Sequence, residues 1–82
     1  MDKTMMFDLK EIEEALIQEK ILEVYDALEE RGYNPVNQLV GYLISGDPGY
    51  ISSFKGAREI ICKMDRIEIL NVILKDFIRY KK

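Results

Sequence analysis

The stretch GYNPVNQLVGYLISGDPGY, residues 32–50, decides the fold, because it contains both prolines and four of the five glycines of the 82-residue chain. Gly32 and Gly46 suit the left-handed backbone that ends a helix. The pairs Asn-Pro at 34–35 and Asp-Pro at 47–48 each offer a capping side chain and a proline, whose missing N–H costs nothing in a first helical turn. The stretch therefore predicts a short helix between two tight corners.

Apolar spacing predicts further helices on both sides of this stretch. A firm helix is expected over 18–31, with residues 9–18 left undecided, and the central helix over 35–45. A single turn follows Pro48, and a third helix over 54–64 is expected to be capped by Ser52 or Ser53. Asp65 and Glu68 form a capping-box pattern that opens the last helix. The chain is predicted to be an all-α bundle of about four to five helices.

Two helices carry most of the apolar residues. The apolar residues of the central helix are predicted to form the centre of the core: Val36, Leu39, Val40, Leu43 and Ile44. The last helix is apolar nearly all round, through Ile67, Leu70, Leu74 and Phe77 on one face and Ile69, Val72, Ile73 and Ile78 beyond it. One small domain leaves such an excess unburied, so a homodimer is expected.

Composition argues against catalysis. The chain has no histidine and one cysteine, and it lacks the motifs of phosphate-binding loops and metal sites. We expect no enzymatic activity, no cofactor and no metal. The sequence shows neither an apolar leader nor a run long enough to span a membrane, which predicts a cytoplasmic protein without membrane insertion.

Charge is distributed unevenly along the chain, although the net charge is only −3. Residues 1–31 carry ten acidic and four basic side chains, and residues 48–82 carry four acidic and eight basic ones. Lys55, Arg58, Lys63 and Arg66 form a basic patch suited to a phosphate or an acidic partner. A solvated helix face accounts for the same residues. At the chain end, Arg79, Lys81 and Lys82 suit the negative end of a helix dipole.

The first eight residues, MDKTMMFD, show no sustained period and predict a flexible arm ahead of a single helical domain over 9–82. Thr4 is the only threonine of the chain. A hydroxyl in such an arm is accessible to a protein kinase.

The string VYDALEERGYNPVNQLVGYLISGDPGYI, residues 24–51, preceded by DKTMMF, resembles the IreB/ReoM family of small regulatory phosphoproteins of Gram-positive bacteria. The resemblance implies an all-helical homodimer without catalytic activity. It implies that a membrane-anchored Ser/Thr kinase with PASTA domains phosphorylates Thr4 and that a cognate phosphatase reverses this. It also implies that the unphosphorylated form controls peptidoglycan synthesis, through Clp-dependent proteolysis of UDP-N-acetylglucosamine 1-carboxyvinyltransferase.

The same resemblance implies a partner-binding role for Arg58, Lys63 and Arg66, which match positions that are basic in the family. The chain departs from the family's usual basic segment: Ser52, Ser53 and Phe54 replace its first three residues, Gly56 replaces an acidic residue, and Cys62 stands where a basic residue is common. The expected function is a phosphorylation-controlled adaptor. The alternatives are a small dimeric nucleic-acid-binding regulator, which salt-dependent duplex binding would reveal, and an obligate subunit of an enzyme complex, which co-purification would reveal.

Overall fold

All regular structure in the part of the chain that the computed structural model describes, residues 9–81, is helical. Its four α-helices are α1 (Leu9–Glu30), α2 (Pro35–Ser45), α3 (Ala57–Cys62) and α4 (Arg66–Lys81), and two 3₁₀ turns cover Pro48–Tyr50 and Phe54–Gly56. The all-α prediction is confirmed for this range. The predicted arm and Thr4 lie outside the described residues, so the division into an arm and one domain stays a prediction.

The junction between α1 and α2 follows the sequence prediction. Gly32 adopts a left-handed φ of 88°. Its N–H donates to Glu29 O at 3.0 Å, and the N–H of Tyr33 donates to Leu28 O at 3.0 Å, which is the paired pattern that closes a helix at glycine. Asn34 Oδ1 then accepts from the N–H of Asn37 at 3.1 Å and caps α2. The chain therefore reverses within a few residues.

The corner after α2 is built in the same way. Gly46, with φ 75°, donates its N–H to Tyr42 O at 2.7 Å. Asp47 Oδ1 accepts from the N–H of Gly49 at 2.8 Å and caps the first 3₁₀ turn. At the start of α4, Asp65 Oδ1 accepts from the N–H of Ile67 at 3.1 Å, as the capping pattern predicts.

Helix α1 begins at Leu9, so residues 9–18, whose secondary structure the sequence did not determine, are helical. Contacts with α4 explain why this part is helical. Lys75 Nζ lies 2.6 Å from Glu14 Oε2, and Gln18 Nε2 donates to both carboxylate oxygens of Asp76 at 2.9 Å. Partners about 60 positions away in the sequence thus stabilise a segment whose own apolar stripe is short.

The predicted third helix over 54–64 is wrong in its first turn. Lys55 and Gly56 both have left-handed backbone, with φ values of 52° and 73°, and two such residues interrupt a right-handed helix. Ser52 Oγ accepts from the N–H of Phe54 at 3.1 Å, but the N-cap residue of the 3₁₀ turn is Ser53, without a side-chain capping bond, and that of α3 is Gly56, so the predicted serine cap of α3 is wrong. The α-helix begins only at Ala57.

The core lies where α1 packs against α3 and the corner before it. Its buried residues come from every α-helix and from Ile51, which directly follows the first 3₁₀ turn: Val24, Ala27, Leu28, Tyr42, Ile51, Ala57, Ile61 and Ile69. Val24, Leu28, Ile51 and Ile61 have no exposed surface. Burial at these positions joins the two halves of the sequence.

The prediction that α2 supplies the centre of the core is wrong. Val36, Val40 and Ile44 are exposed, Ile44 to 79%. Leu39 and Leu43 are half-buried, and the buried residues of α2 are Pro35 and Tyr42. Tyr42 is the larger side chain, and its burial turns the aliphatic stripe of α2 towards the surface.

We predict that Gly46→Ala destabilises the fold more than Gly32→Ala does. Both residues have positive φ, so each substitution places alanine in a left-handed backbone at a cost of about 1–2 kcal/mol. A Cβ at Gly46 would also lie 2.8 Å from the guanidinium carbon of Arg66, whereas one at Gly32 meets nothing within 4 Å. Urea denaturation of both variants measures the difference. Equal losses would contradict a role for Arg66 packing at this corner.

Candidate functional site

The structure describes three of the four residues predicted to carry function, and these three differ in their surroundings. Thr4 lies outside the described residues. Arg58 belongs to α3, Lys63 follows its last residue, and Arg66 opens α4. Each of these three basic residues has different neighbours, described in turn below, and two of them are engaged with the backbone of the same chain.

Arg58 ties α3 to the preceding corner. Its Nε–H donates to Ile51 O at 2.8 Å, and its backbone N–H donates to Ser52 O at 3.1 Å. Ile51 is fully buried, so its carbonyl needs a partner inside the protein. Part of the guanidinium is thereby committed to the fold, and its remaining N–H groups are the ones available to a partner.

Arg66 performs a similar task at the end of α2. Its Nη1 donates to Leu43 O at 3.1 Å, a carbonyl in the last turn of α2 that has no helical partner. The guanidinium also packs against Gly46, where a Cβ would intrude. Arg66 thus supplies both a hydrogen bond and a favourable charge at the C-terminal end of a helix.

A buried tyrosine lies beside this arginine. Burial raises the pKa of Tyr42, its neighbour Cys62 acts in the same direction, and the positive charge of Arg66 acts in the opposite one. Its hydroxyl therefore stays protonated at neutral pH and remains a hydrogen-bonding group. Cys62 is a free, exposed thiol at the end of α3. This arrangement ties α2, α3 and α4 together at a single corner.

Lys63 is exposed and faces a different part of the surface. It lines a depression of about 420 Å³ with Lys20, Lys55 and Glu59, and neither Arg58 nor Arg66 borders it. Lys55 pairs with Glu30 at 2.8 Å. Among the three basic residues that the sequence singled out, Lys63 is therefore the one whose charge is directed to solvent.

Two helix faces leave apolar side chains at the surface. The α2 face consists of Val36, Val40 and Ile44, at a spacing of four residues. The outer α4 face consists of Ile67, Leu70, Leu74, Phe77 and Ile78. The sequence predicted the excess on α4. It missed the one on α2, although the absence of charged residues from that helix was a visible sign.

A cleft lies between α1 and α4. It has a volume of about 520 Å³ and is lined by Gln18, Ile21 and Leu22 of α1 and by Val72, Ile73, Asp76, Arg79 and Tyr80 of α4. Its walls are mainly apolar, and Arg79 stands at its rim. The sequence suggested only a helix-dipole role for this arginine.

Two kinds of feature are absent from residues 9–81. No helix in this range has the length and apolar character to cross a membrane. Within the same range, no three acidic or cysteine side chains are grouped so as to hold a metal ion.

We predict that Arg58→Lys and Arg66→Lys lower stability although they keep the charge. Lysine lacks the forked, planar donors that reach the two carbonyls, and each lost hydrogen bond to a charged group costs about 1.5–3 kcal/mol. Chemical denaturation measures this loss. The matched control Lys63→Gln removes a charge from the surface and is expected to change stability by less than about 0.5 kcal/mol. If Lys63→Gln lowers the stability as much as the arginine variants do, the structural role of Arg58 and Arg66 would be contradicted.

A comparison with protein families extends to the part of the chain outside the described structure. The family model described as "IreB regulatory phosphoprotein" matches residues 2–79, which is 78 of the 82 residues. The match covers α1, α2, α3 and α4 up to residue 79, both corners and the segment that contains Thr4. The resemblance noted in the sequence is confirmed, and the chain belongs to the IreB family of regulatory phosphoproteins.

Proposed function

We propose that the chain is a non-enzymatic adaptor that a Ser/Thr kinase of the PASTA class switches by phosphorylating Thr4, and that a cognate phosphatase resets. The observation that carries the proposal is the family match over residues 2–79, which includes this threonine. Phosphorylation there would add about −1.5 to −2 charges to a segment of eight residues. A change of that size alters which charged surface the segment can bind.

The other hydroxyl groups are less suited to a kinase. Ser45 Oγ donates to Gly41 O at 2.7 Å, and Ser52 Oγ accepts from the N–H of Phe54 at 3.1 Å. Both groups are thereby engaged in the backbone of a corner. Ser53 is exposed, but it directly precedes the 3₁₀ turn Phe54–Gly56 and belongs to the same structured corner. These contacts support Thr4 as the modified residue.

We further propose that the adaptor acts in the cytoplasm and controls peptidoglycan synthesis. Its unphosphorylated form would direct Clp-dependent proteolysis of UDP-N-acetylglucosamine 1-carboxyvinyltransferase. The regulatory character of the family supports this role. Lys63 would contribute a solvent-directed charge to partner binding, and Arg58 and Arg66 would contribute the donors not used inside the fold. The exposed α2 face offers a further, apolar surface for a partner.

A homodimer is the second part of the proposal. The outer α4 face exposes five large apolar side chains in a monomer of 82 residues, and a chain of this size buries only about 60–65% of its unfolded surface. Pairing two copies through this face would remove the apolar side chains from water. It would leave the cleft, on the other side of α4, open.

The alternative of a nucleic-acid-binding regulator gains no support from the described residues. Such proteins present a dense row of basic side chains to phosphates. Here Arg58 and Arg66 bind backbone carbonyls, and Lys55 and Lys75 pair with glutamates. These four side chains are thus engaged within the fold.

We predict that a PASTA-type kinase from the same cell adds one phosphate to the wild-type chain and none to Thr4→Ala. Fragment mass spectrometry locates the phosphate. Ser53→Ala is the matched control and should be phosphorylated like the wild type, because its hydroxyl is not the acceptor. Modification of Thr4→Ala at the wild-type rate, or an unmodified wild type beside a phosphorylated control substrate, would overturn the proposal.

We predict that the wild type sediments as a dimer at micromolar concentration and that Leu74→Glu converts it to a monomer. Burying a carboxylate in an apolar interface is strongly unfavourable. Ile44→Glu on the α2 face is the control and should remain dimeric, since it also places a charge on an exposed apolar position but outside the proposed interface. A monomeric wild type, or dissociation caused by Ile44→Glu alone, would refute the α4 interface.

A further inference from the structure

The depression that Lys63 borders combines basic side chains with an apolar floor. Three lysines and a single acidic residue line it, namely Lys20, Lys55, Lys63 and Glu59. Ile60 and Met64 complete the lining, and both are half-buried because they also pack against the core. The volume of about 420 Å³ lies within the range of about 300–1,000 Å³ that is usual for ligand sites.

The charge of Lys63 is available to a partner. Its side chain is exposed and forms no ion pair with another residue of the described range. Glu59 precedes it by four positions, which is the spacing at which opposite charges meet on a helix, yet the two side chains are not paired. The ammonium group of Lys63 is therefore left to solvent or to a ligand in the depression.

The other two lysines hold ion pairs that an incoming carboxylate can displace. Lys20 Nζ is 3.4 Å from Glu23 Oε1. Lys55 Nζ is 2.8 Å from Glu30 Oε1. The four side chains are between 48% and 57% exposed, and ion pairs so open to water contribute little stability. Neither of these glutamates lines the depression, whose lining carries three positive charges against one negative.

The same charges decide what kind of anion fits. When Glu23 and Glu30 are counted with the lining, the positive and negative charges of this neighbourhood balance. Charge alone therefore gives an acidic ligand little advantage. A ligand that also covers the apolar floor gains the burial of Ile60 and Met64, so the fit requires carboxylates and an apolar side chain together.

We propose that this depression binds a short acidic segment of a partner protein, in which an apolar side chain lies between carboxylates. The apolar side chain packs on Ile60 and Met64, where the flexible thioether adapts to the shape of the ligand. The carboxylates bind Lys63 and Lys20. The inference rests on the partner-binding role proposed for Lys63 and names the chemistry of the partner. It adds Lys20 of α1, which the sequence did not connect with the basic patch.

A peptide fits this site better than a nucleic-acid backbone does. Nucleic acids are bound through successive phosphates, and Glu59 would repel them within the same depression. A phosphate chain also has no apolar group to place on the floor. The lining includes no residue of the outer α4 face, so two copies paired through that face would each keep the site open.

NMR titration of the full, unphosphorylated chain tests the site, with the methyl group of Met64 as the reporter. Met64 lines the depression, and it is the one methionine among the described residues. The probe is a short synthetic peptide with leucines between glutamates. One control peptide has glutamines in place of the glutamates, and a second has serines in place of the leucines.

We expect the probe to shift the Met64 signal saturably, with a Kd of about 1 mM or below, and both control peptides to bind roughly fivefold or more weakly. Lys63→Glu should weaken binding roughly fivefold or more, and the milder Lys63→Gln about two- to fivefold, because an exposed charge pair is lost. Lys81→Glu is the matched control. It changes the net charge equally at an exposed position of α4 outside the depression and should leave the affinity within about twofold.

The inference fails if the probe does not bind saturably, if the serine peptide binds as well as the probe, or if Lys63→Glu and Lys81→Glu weaken binding equally. Tighter binding of a single-stranded oligonucleotide of the same charge, with the same Met64 shift, would assign the site to nucleic acid instead. The titration uses neither a kinase nor a phosphorylated chain. Its failure would leave the switch at Thr4 standing, and failure of the kinase experiment would leave this site standing.

Discussion

The mutual burial of Leu28, Ile51 and Ile61 is the contact on which the rest of the structure depends. It joins α1 to α3 and to Ile51, which lies between the two 3₁₀ turns, and none of the three side chains retains exposed surface. A chain of 82 residues has a small core, so its net stability is expected to be only several kcal/mol. Each corner that positions these residues therefore contributes a large share of that stability.

Arginine side chains stabilise those corners by satisfying backbone carbonyls. Arg58 reaches the carbonyl of buried Ile51, and Arg66 reaches the carbonyl of Leu43 at the end of α2. The left-handed glycine at position 46 leaves the space that Arg66 fills. Two residues that resemble a binding patch in the sequence are thus partly structural, and their positive charge alone does not define a functional surface.

Local signals in the sequence predicted the corners well, because caps and left-handed glycines act over only a few residues. Asn34, Asp47 and Asp65 cap as their spacing indicates. The failures involve contacts distant in sequence. The first half of α1 depends on partners in α4, and Tyr42 rather than the aliphatic stripe of α2 is buried. The break at Lys55 has no local signal beyond Gly56, since lysine rarely adopts positive φ.

The sequence could predict only part of the candidate site, because the rest depends on contacts between residues that are distant in the sequence. Thr4 and its neighbours could be singled out from the chain alone, whereas the cleft that Arg79 borders exists only where α1 and α4 meet. The fold leaves three surfaces open in the described residues: the α2 face, the outer α4 face and this cleft. Such a surface suits a protein that acts through its partners.

The central claim is that the phosphate on Thr4 changes which partner the chain binds. The most direct measurement is quantitative mass spectrometry of proteins captured from the cells of origin by the chain with and without phosphothreonine at position 4. The account predicts that Clp components or the carboxyvinyltransferase are enriched several-fold on the unphosphorylated form. Equal capture of these proteins by both forms would contradict it.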